Sequence, residues 1–345
     1  MVRKESVMKE AMFFEKRADK KVQCGLCRFR CLIPDGRRGL CGVRENRTGV
    51  LYSLVYGKAV AEQVDPIEKK PLFHVLPGSL SYSVATMGCN FRCRHCQNYG
   101  ISQPPREEGR IEGRSLMPDE IVAKALAAGC RSIAYTYTEP TIFFEYAYDT
   151  AVLAQRKGLK NIFVTNGYIS EEALSFIRPY LDAANIDLKG FTDSFYREVV
   201  GGAVLGEVLE SIRLHKRLGI WLEITTLIIP GLNDSDEELS AIARFIVDEL
   251  GCDTPWHVSS FHPTYRLTDR PATPYATVRR ARQIGIAAGL RYVYVGNVPG
   301  DGGDNTWCPG CHAPLVSRRG FSVEEMSLRN GKCPSCGFTL DGVWE

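Results

Sequence analysis

Eleven of the chain's thirteen cysteines fall into three tight groups, and this clustering constrains the fold more than any other feature. The groups are Cys24-x2-Cys27-x3-Cys31-x9-Cys41, Cys89-x3-Cys93-x2-Cys96, and the pairs Cys308-x2-Cys311 and Cys333-x2-Cys336. A chain of 345 residues, 44% hydrophobic and 24% charged, can bury a core without disulfide staples, so bunched thiols read as ligands to metals or clusters in a reducing compartment. Cys130 and Cys252 stand outside the groups, each beside a glycine near the end of a helix-like segment, and read as ordinary buried thiols.

The N-terminal MVRKESVMKEAMFFEKRADKK has neither an apolar core segment nor a small-residue cleavage site, and no run of about 18 apolar residues occurs, so a cytoplasmic protein without a membrane partner is expected. The formal charge of +3 is too mild to argue for nucleic acid.

Beyond residue 80, short apolar runs alternate with helical patterns, the signature of βα units and a parallel sheet. Strands are expected at Ser81 to Thr86, Ser132 to Thr138, Asn161 to Thr165, Ala184 to Leu188, Trp221 to Ile228, Trp256 to Phe261 and Tyr292 to Val295. Pro118 opens a helix that Gly129 stops; Ser170 and Ser235, each followed by acidic residues, open two more. Six or seven such strands fit an open doubly wound sheet or a full or partial barrel, with chemistry at the carboxyl ends of the strands in each. No GxGxxG fingerprint follows the first strand, which disfavours a dinucleotide fold. Residues 48 to 80 alternate apolar and polar positions and suit a small β layer.

The segment Met87-Gly-Cys-Asn-Phe-Arg-Cys-Arg-His-Cys-Gln-Asn lies directly after a strand, as a loop wrapped round a ligand would. Three cysteinates on a four-iron cubane leave one iron open to a chelating molecule. Zinc would require a fourth ligand, and His95, the only nearby candidate, diverges from the adjacent Cys96.

CNFRCRHC resembles the radical S-adenosylmethionine (SAM) signature, and the chain is similar over nearly its full length to the AmmeMemoRadiSam-system radical SAM proteins, relatives of pyruvate formate-lyase activating enzymes. The resemblance rests on DPIEKKPLFHVLPGS at 65 to 79, GCNFRCRHCQNYGISQ at 88 to 103, YTYTEPT at 135 to 141, VTNGY at 164 to 168, NIDLKG at 185 to 190, LIIPGLNDS at 227 to 235, VYVGN at 293 to 297 and GVW at 342 to 344.

It implies an α/β fold, a partial (β/α)6-type radical SAM TIM barrel at 81 to 302, preceded by a cysteine-rich extension at 1 to 80 and followed by a zinc-ribbon or rubredoxin-like tail at 303 to 345. It further implies an enzyme that reductively cleaves SAM at a [4Fe-4S] cluster on Cys89, Cys93 and Cys96. The 5′-deoxyadenosyl radical then takes hydrogen from a protein, as glycyl-radical activases do, or from another substrate. Glu139 in Thr138-Glu139-Pro140 is placed at the SAM ammonium. Asn166 in TNG, with Asp187 and Lys189 in DLK, is placed beside the carboxylate and ribose. His95 is placed near adenine, which the turn at Ile228-Ile229-Pro230-Gly231 supports, and His262 near SAM. Val164 stands where the activating enzymes have Asp, which weighs against an auxiliary cation site. The implied partners are SAM, an electron donor such as flavodoxin or ferredoxin, and AMMECR1-like and Memo-like proteins.

Cys24, Cys27, Cys31 and Cys41 sit in a segment too small to fold without a staple, and either zinc or a second iron-sulfur cluster would provide one. Cys308, Cys311, Cys333 and Cys336, with Pro-Gly and Pro-Ser-Cys-Gly turns, match a zinc ribbon or a rubredoxin-like iron site. Competing readings are radical modification of a lipid, RNA or metabolite, and a non-catalytic zinc protein that binds nucleic acid.

Overall fold

The computed structural model describes residues 8–298 and 302–345. The reading of the N-terminus falls partly on residues 1–7, and that of the barrel's end partly on 299–301, outside the described residues.

One eight-stranded sheet organises the chain. Its strands are β1 (Ala61–Pro66), β2 (Leu80–Ala85), β3 (Ser132–Tyr135), β4 (Lys160–Thr165), β5 (Ala183–Asp187), β6 (Trp221–Ile228), β7 (Trp256–Ser260) and β8 (Val293–Gly296). They lie side by side in chain order; β2 to β8 are parallel and β1 pairs antiparallel with β2. The helices α1 (Pro118–Ala127), α2 (Phe144–Gln155), α3 (Glu171–Ile177), α4 (Leu205–Arg217), α5 (Asp236–Phe245) and α6 (Tyr275–Ala287) fill the six crossovers. A doubly wound sheet would reverse its order partway. This one does not: it is singly wound, with β1 and β8 at its edges.

The caps follow from the sequence. The hydroxyls of Ser170 and Ser235 accept from the amides of Ala173 and Glu238, and acidic residues occupy both first turns. Pro118 stands at the first position of α1. The strand expected to reach Thr138 stops at Tyr135, because Tyr137 is left-handed (φ 63°) and the Thr138 amide turns back to the Thr136 carbonyl.

Residues 48 to 80 form no single layer. Val50–Ser53 pairs in a small N-terminal sheet, Lys58–Ala59 pairs with Arg114–Ser115, and β1 joins the main sheet. Cys130 is buried as expected, whereas Cys252 is half-buried.

The tail packs over the amino ends of the strands, where Phe73, Tyr292 and Tyr294 share a core with Leu315, Val316 and Leu340. Glu223 at the base of β6 accepts from the amides of Phe73 and His74, from Trp221 Nε1 and, at 2.7 Å, from His257 Nε2. His74 also meets Tyr294 Oη at 2.7 Å and the Asp341 carbonyl at 2.8 Å, which ties the tail to the sheet.

Burial pushes His74 down to about 4, and it does the same to His215 inside α4. Below the ordinary histidine value of about 6.5 the unfolded chain takes up protons that the folded chain refuses, so stability is lost as pH falls from there toward 4. Each histidine contributes a loss of about 3 kcal/mol by pH 4. Urea midpoints measured from pH 7 to pH 4 are expected to fall, and a flat profile would contradict this.

Candidate functional site

At the carboxyl ends of the strands lies a cleft of about 400 Å³. Its floor is the loop that follows β2. Two contacts shape that loop. The amides of Arg92 and Arg94 donate to the carbonyls of Val200 and Val199, at 3.0 and 2.9 Å. Gly201 makes this approach feasible: its φ is +100°, and a Cβ there would lie 2.6 Å from the Arg92 Cβ. Gly88 has φ +104°, and a Cβ on it would lie 2.7 Å from Val43 and 3.3 Å from the Cys41 carbonyl. The N-terminal knot therefore presses directly against the residue before Cys89.

Cys89, Cys93 and Cys96 all line the cleft. Burial and then the nearby Glu139 charge push the Cys89 thiol well up, and burial pushes Cys93 up to about 12. Cys96 Sγ lies 3.2 Å from Ser102 Oγ.

Three strand ends face this loop. Glu139, just after β3, is buried and ties β3 to β4. Its Oε1 accepts from the Thr141 amide and hydroxyl and from the Thr165 hydroxyl, at 3.0, 2.6 and 2.8 Å, and its Oε2 from the Asn166 amide at 2.8 Å. Burial holds its carboxyl above the usual range. Asn166 Nδ2 donates to Asn90 Oδ1 at 2.7 Å, which links the TNG turn to the cysteine loop. Lys189 Nζ donates to Asp187 Oδ2 at 2.9 Å. Burial disfavours the Lys189 charge, but Asp187 and Cys93 outweigh it and hold the ammonium above its ordinary value.

His95 is buried in the cleft wall, pushed down to about 3 by burial and then by Lys189, and its Nδ1 has no hydrogen-bond partner. Val164 also lines the cleft and offers no oxygen ligand. Of the residues expected at SAM, His262 lies outside the cleft lining and is exposed, and the turn Ile228-Ile229-Pro230-Gly231 expected under adenine is not in the lining either. Its segment folds back on the cysteine loop through the Arg266 amide, which donates to the Arg94 carbonyl at 3.0 Å.

Sequence reasoning missed a second polar group, whose Lys69, Lys70 and Tyr137 line the cleft. Asp65 on β1 accepts from Lys69 Nζ at 2.8 Å, Lys70 Nζ at 2.6 Å and Ser83 Oγ at 2.9 Å, and also from Tyr137 Oη. Burial opposes its charge, but the two lysines and the tyrosine hold the carboxyl well below the usual range. The DPIEKKP stretch was the available signal, with Asp and Lys four and five residues apart. Phe321, at the tip of the tail's hairpin, also lines the cleft, and no local signal marked it.

Glu139→Ala is expected to leave four donors without an acceptor and to lower stability by about 2–3 kcal/mol, with Glu139→Gln intermediate, measured by urea denaturation.

The two flanking cysteine groups also assemble. Cys308, Cys311, Cys333 and Cys336 bring their sulfurs within 4.8 Å of one another, and can hold a metal ion. Cys24, Cys27, Cys31 and Cys41 line a separate cavity behind the Cys89 loop.

A singly wound parallel sheet thus carries a three-thiol loop after its first parallel strand, facing polar strand ends across a cleft. The model of the Radical SAM superfamily matches residues 83–246. The chain is 49% identical over 338 residues to an uncharacterized protein of Methanocaldococcus jannaschii, covering 97% of this chain and 100% of that one. It is 27% identical over 259 residues to the mitochondrial GTP 3′,8-cyclase of Arabidopsis thaliana, covering 67% of this chain and 62% of the cyclase. A putative glycyl-radical enzyme activating enzyme of M. jannaschii is 26% identical over 193 residues, 54% of this chain and 75% of that one. The structure of Streptococcus suis SuiB bound to S-adenosylmethionine shares the fold, with a TM-score of 0.50 at 14% identity over 67% of this chain and 53% of SuiB.

Residues 83–246 match the radical SAM superfamily, and the chain has activating-enzyme-like relatives. The match implies a [4Fe-4S] cluster and SAM, and the donor set fits them: three thiols with no fourth ligand among the cleft's cysteines, and unpartnered buried nitrogens on His95 and Asn90 beside them. No helix among the described residues is long and apolar enough to cross a membrane.

Proposed function

We propose that the chain cleaves SAM reductively and uses the 5′-deoxyadenosyl radical to take hydrogen from a protein glycyl or similar backbone position. The observation that carries the reading is the convergence of Cys89, Cys93 and Cys96 with Glu139, Asn166, Asp187 and Lys189 on one cleft. Cys89, Cys93 and Cys96 would hold a [4Fe-4S] cluster, which when bound would supply the single electron that cleaves the SAM sulfonium.

The other residues bind and orient. Lys189, kept charged by Asp187, attracts the SAM carboxylate. Glu139 holds the TNG turn and places a negative charge near the ammonium. Neutral His95 offers a flat ring to adenine. The buried walls keep water and stray hydrogen donors from the radical. The activating-enzyme-like relatives support a protein target, and the resemblance to AmmeMemoRadiSam-system proteins supports AMMECR1-like and Memo-like partners. The likeness to GTP 3′,8-cyclases favours a second reading, in which a small metabolite is the hydrogen source. We assign zinc to the tail's four thiols.

Anaerobically reconstituted protein given SAM and dithionite is expected to form 5′-deoxyadenosine and methionine, read by mass spectrometry; product no higher than without protein would refute the reading. A glycyl-radical signal by electron paramagnetic resonance in a co-expressed partner supports a protein target. Consumption of a metabolite without such a signal supports the second reading.

A further inference from the structure

The N-terminal thiols differ from the tail's in one respect: they surround a space. In the tail Cys308 and Cys336 lie 3.5 Å apart and Cys311 and Cys333 3.7 Å apart. A tetrahedral zinc with bonds of about 2.3 Å sets its sulfurs about 3.8 Å apart, so the tail has single-ion spacing. Cys24, Cys27, Cys31 and Cys41 instead line a cavity of about 20 Å³, walled otherwise by Leu26, Phe29, Ile33 and Ile142. That exceeds the roughly 10–15 Å³ one water occupies, whereas a closed zinc tetrahedron leaves no room at its centre. Among the described residues, three or more ligand atoms crowd within 4.8 Å in the tail, and the N-terminal thiols do not form such a group. A cubane binds each thiolate at a different iron, and so needs sulfurs held apart around a space.

Charge and hydrogen bonding fit the same occupant. Arg44 lines the cavity and is almost wholly buried. Its terminal nitrogens serve Glu145 and the Met12 carbonyl, while its Nε is buried without a partner. A cationic donor beside a dianionic cluster offsets its charge and can bond an inorganic sulfide.

The place is also informative. The Cys41 carbonyl packs on Gly88, and Asn90 lines this cavity while accepting from Asn166, which lines the SAM-side cleft. Arg106 joins the two loops, donating to the carbonyls of Leu40 at 2.6 Å and Cys89 at 2.9 Å.

We propose that Cys24, Cys27, Cys31 and Cys41 hold a second [4Fe-4S] cluster, fully ligated by the chain and adjoining the first closely enough to pass it single electrons. A one-electron donor such as dithionite reduces this cluster; the transfer reoxidises it as the cluster on Cys89, Cys93 and Cys96 is reduced, and no bond is made or broken. The relay rests on the radical SAM reading; the occupancy does not.

The test uses full-length protein with Cys89→Ala, Cys93→Ala and Cys96→Ala together, reconstituted anaerobically with iron and sulfide and assayed for iron, acid-labile sulfide and zinc. This variant leaves the knot intact. About four irons and four sulfides per chain are expected to remain, with a [4Fe-4S] Mössbauer spectrum. Adding Cys27→Ala and Cys31→Ala should remove them while the tail's zinc stays. A triple variant without sulfide, carrying a second zinc, would overturn the proposal. In the reduced wild-type chain, two paramagnetic clusters are expected to broaden each other's resonance; two clusters without magnetic interaction would overturn their adjacency. Wild-type protein that forms no 5′-deoxyadenosine, while the triple variant keeps its cluster, would refute the proposed function and leave this site standing.

Discussion

Cys93→Ala is expected to reduce 5′-deoxyadenosine formation to the level seen without protein. Cys93 is the most enclosed of the three cleft thiols, 8% exposed. With two thiolates left, a cubane has two irons open instead of one, so it is less firmly held and offers SAM no defined chelation position. Serine at the same place keeps the size but supplies a harder oxygen, and is expected to retain little activity. The measurement is product yield per chain beside iron content. A Cys93→Ala protein that keeps its iron and turns over at the wild-type rate would refute the assignment of this thiol. The substitution is not expected to unfold the chain, because the loop is held separately by Gly201 against Arg92 and by the amides of Arg92 and Arg94 on Val200 and Val199.

Arg44→Met carries the largest expected cost in stability. Arg44 Nη1 lies 2.9 and 3.2 Å from the two Glu145 oxygens, and both side chains are buried, at 2% and 0% exposure. Glu145 Oε1 also accepts from the Met12 amide at 2.7 Å, so the pair pins the first residues of the knot to α2. Removing one member strands a buried carboxylate and costs about 3–5 kcal/mol. Arg44→Met with Glu145→Gln removes both charges and is expected to recover a large part of that loss. Urea denaturation of wild type, both single variants and the double variant measures the coupling. A single variant costing under about 1 kcal/mol would show that the pair is not the clamp described.

Much of this architecture was legible in advance. All seven parallel strands were placed within a few residues, because apolar runs between capped helices report local burial, and Ser170 and Ser235 announce their helices through chemistry confined to four residues. The convergence of Glu139, Asn166, Asp187 and Lys189 was legible for a related reason. In a parallel sheet every strand's carboxyl end points the same way, so polar residues at strand ends must meet.

What was not legible shares a cause as well. His262 also follows a strand, but the segment after β7 swings back to meet Arg94, and the imidazole lies exposed outside the cleft lining. β1 lies in a stretch read as a separate layer, because nothing within Ala61–Pro66 signals that it will pair antiparallel with Leu80–Ala85.

By itself, then, the sequence determined which thiols are grouped, the α/β alternation and the end of the sheet where the polar residues gather, since each depends on residues close in the chain. Only the tertiary structure decided what the groups face. It set Cys41 against Gly88, Asp65 against Tyr137, and Phe321 in the lining of a cleft whose cysteine loop lies more than two hundred residues earlier. It also decided that the tail's sulfurs close to single-ion spacing while the N-terminal ones stand round a cavity. Ligand spacing along a chain says which atoms can share a site; the distance between them in space depends on packing from elements far away, and that distance separates an ion from a cluster.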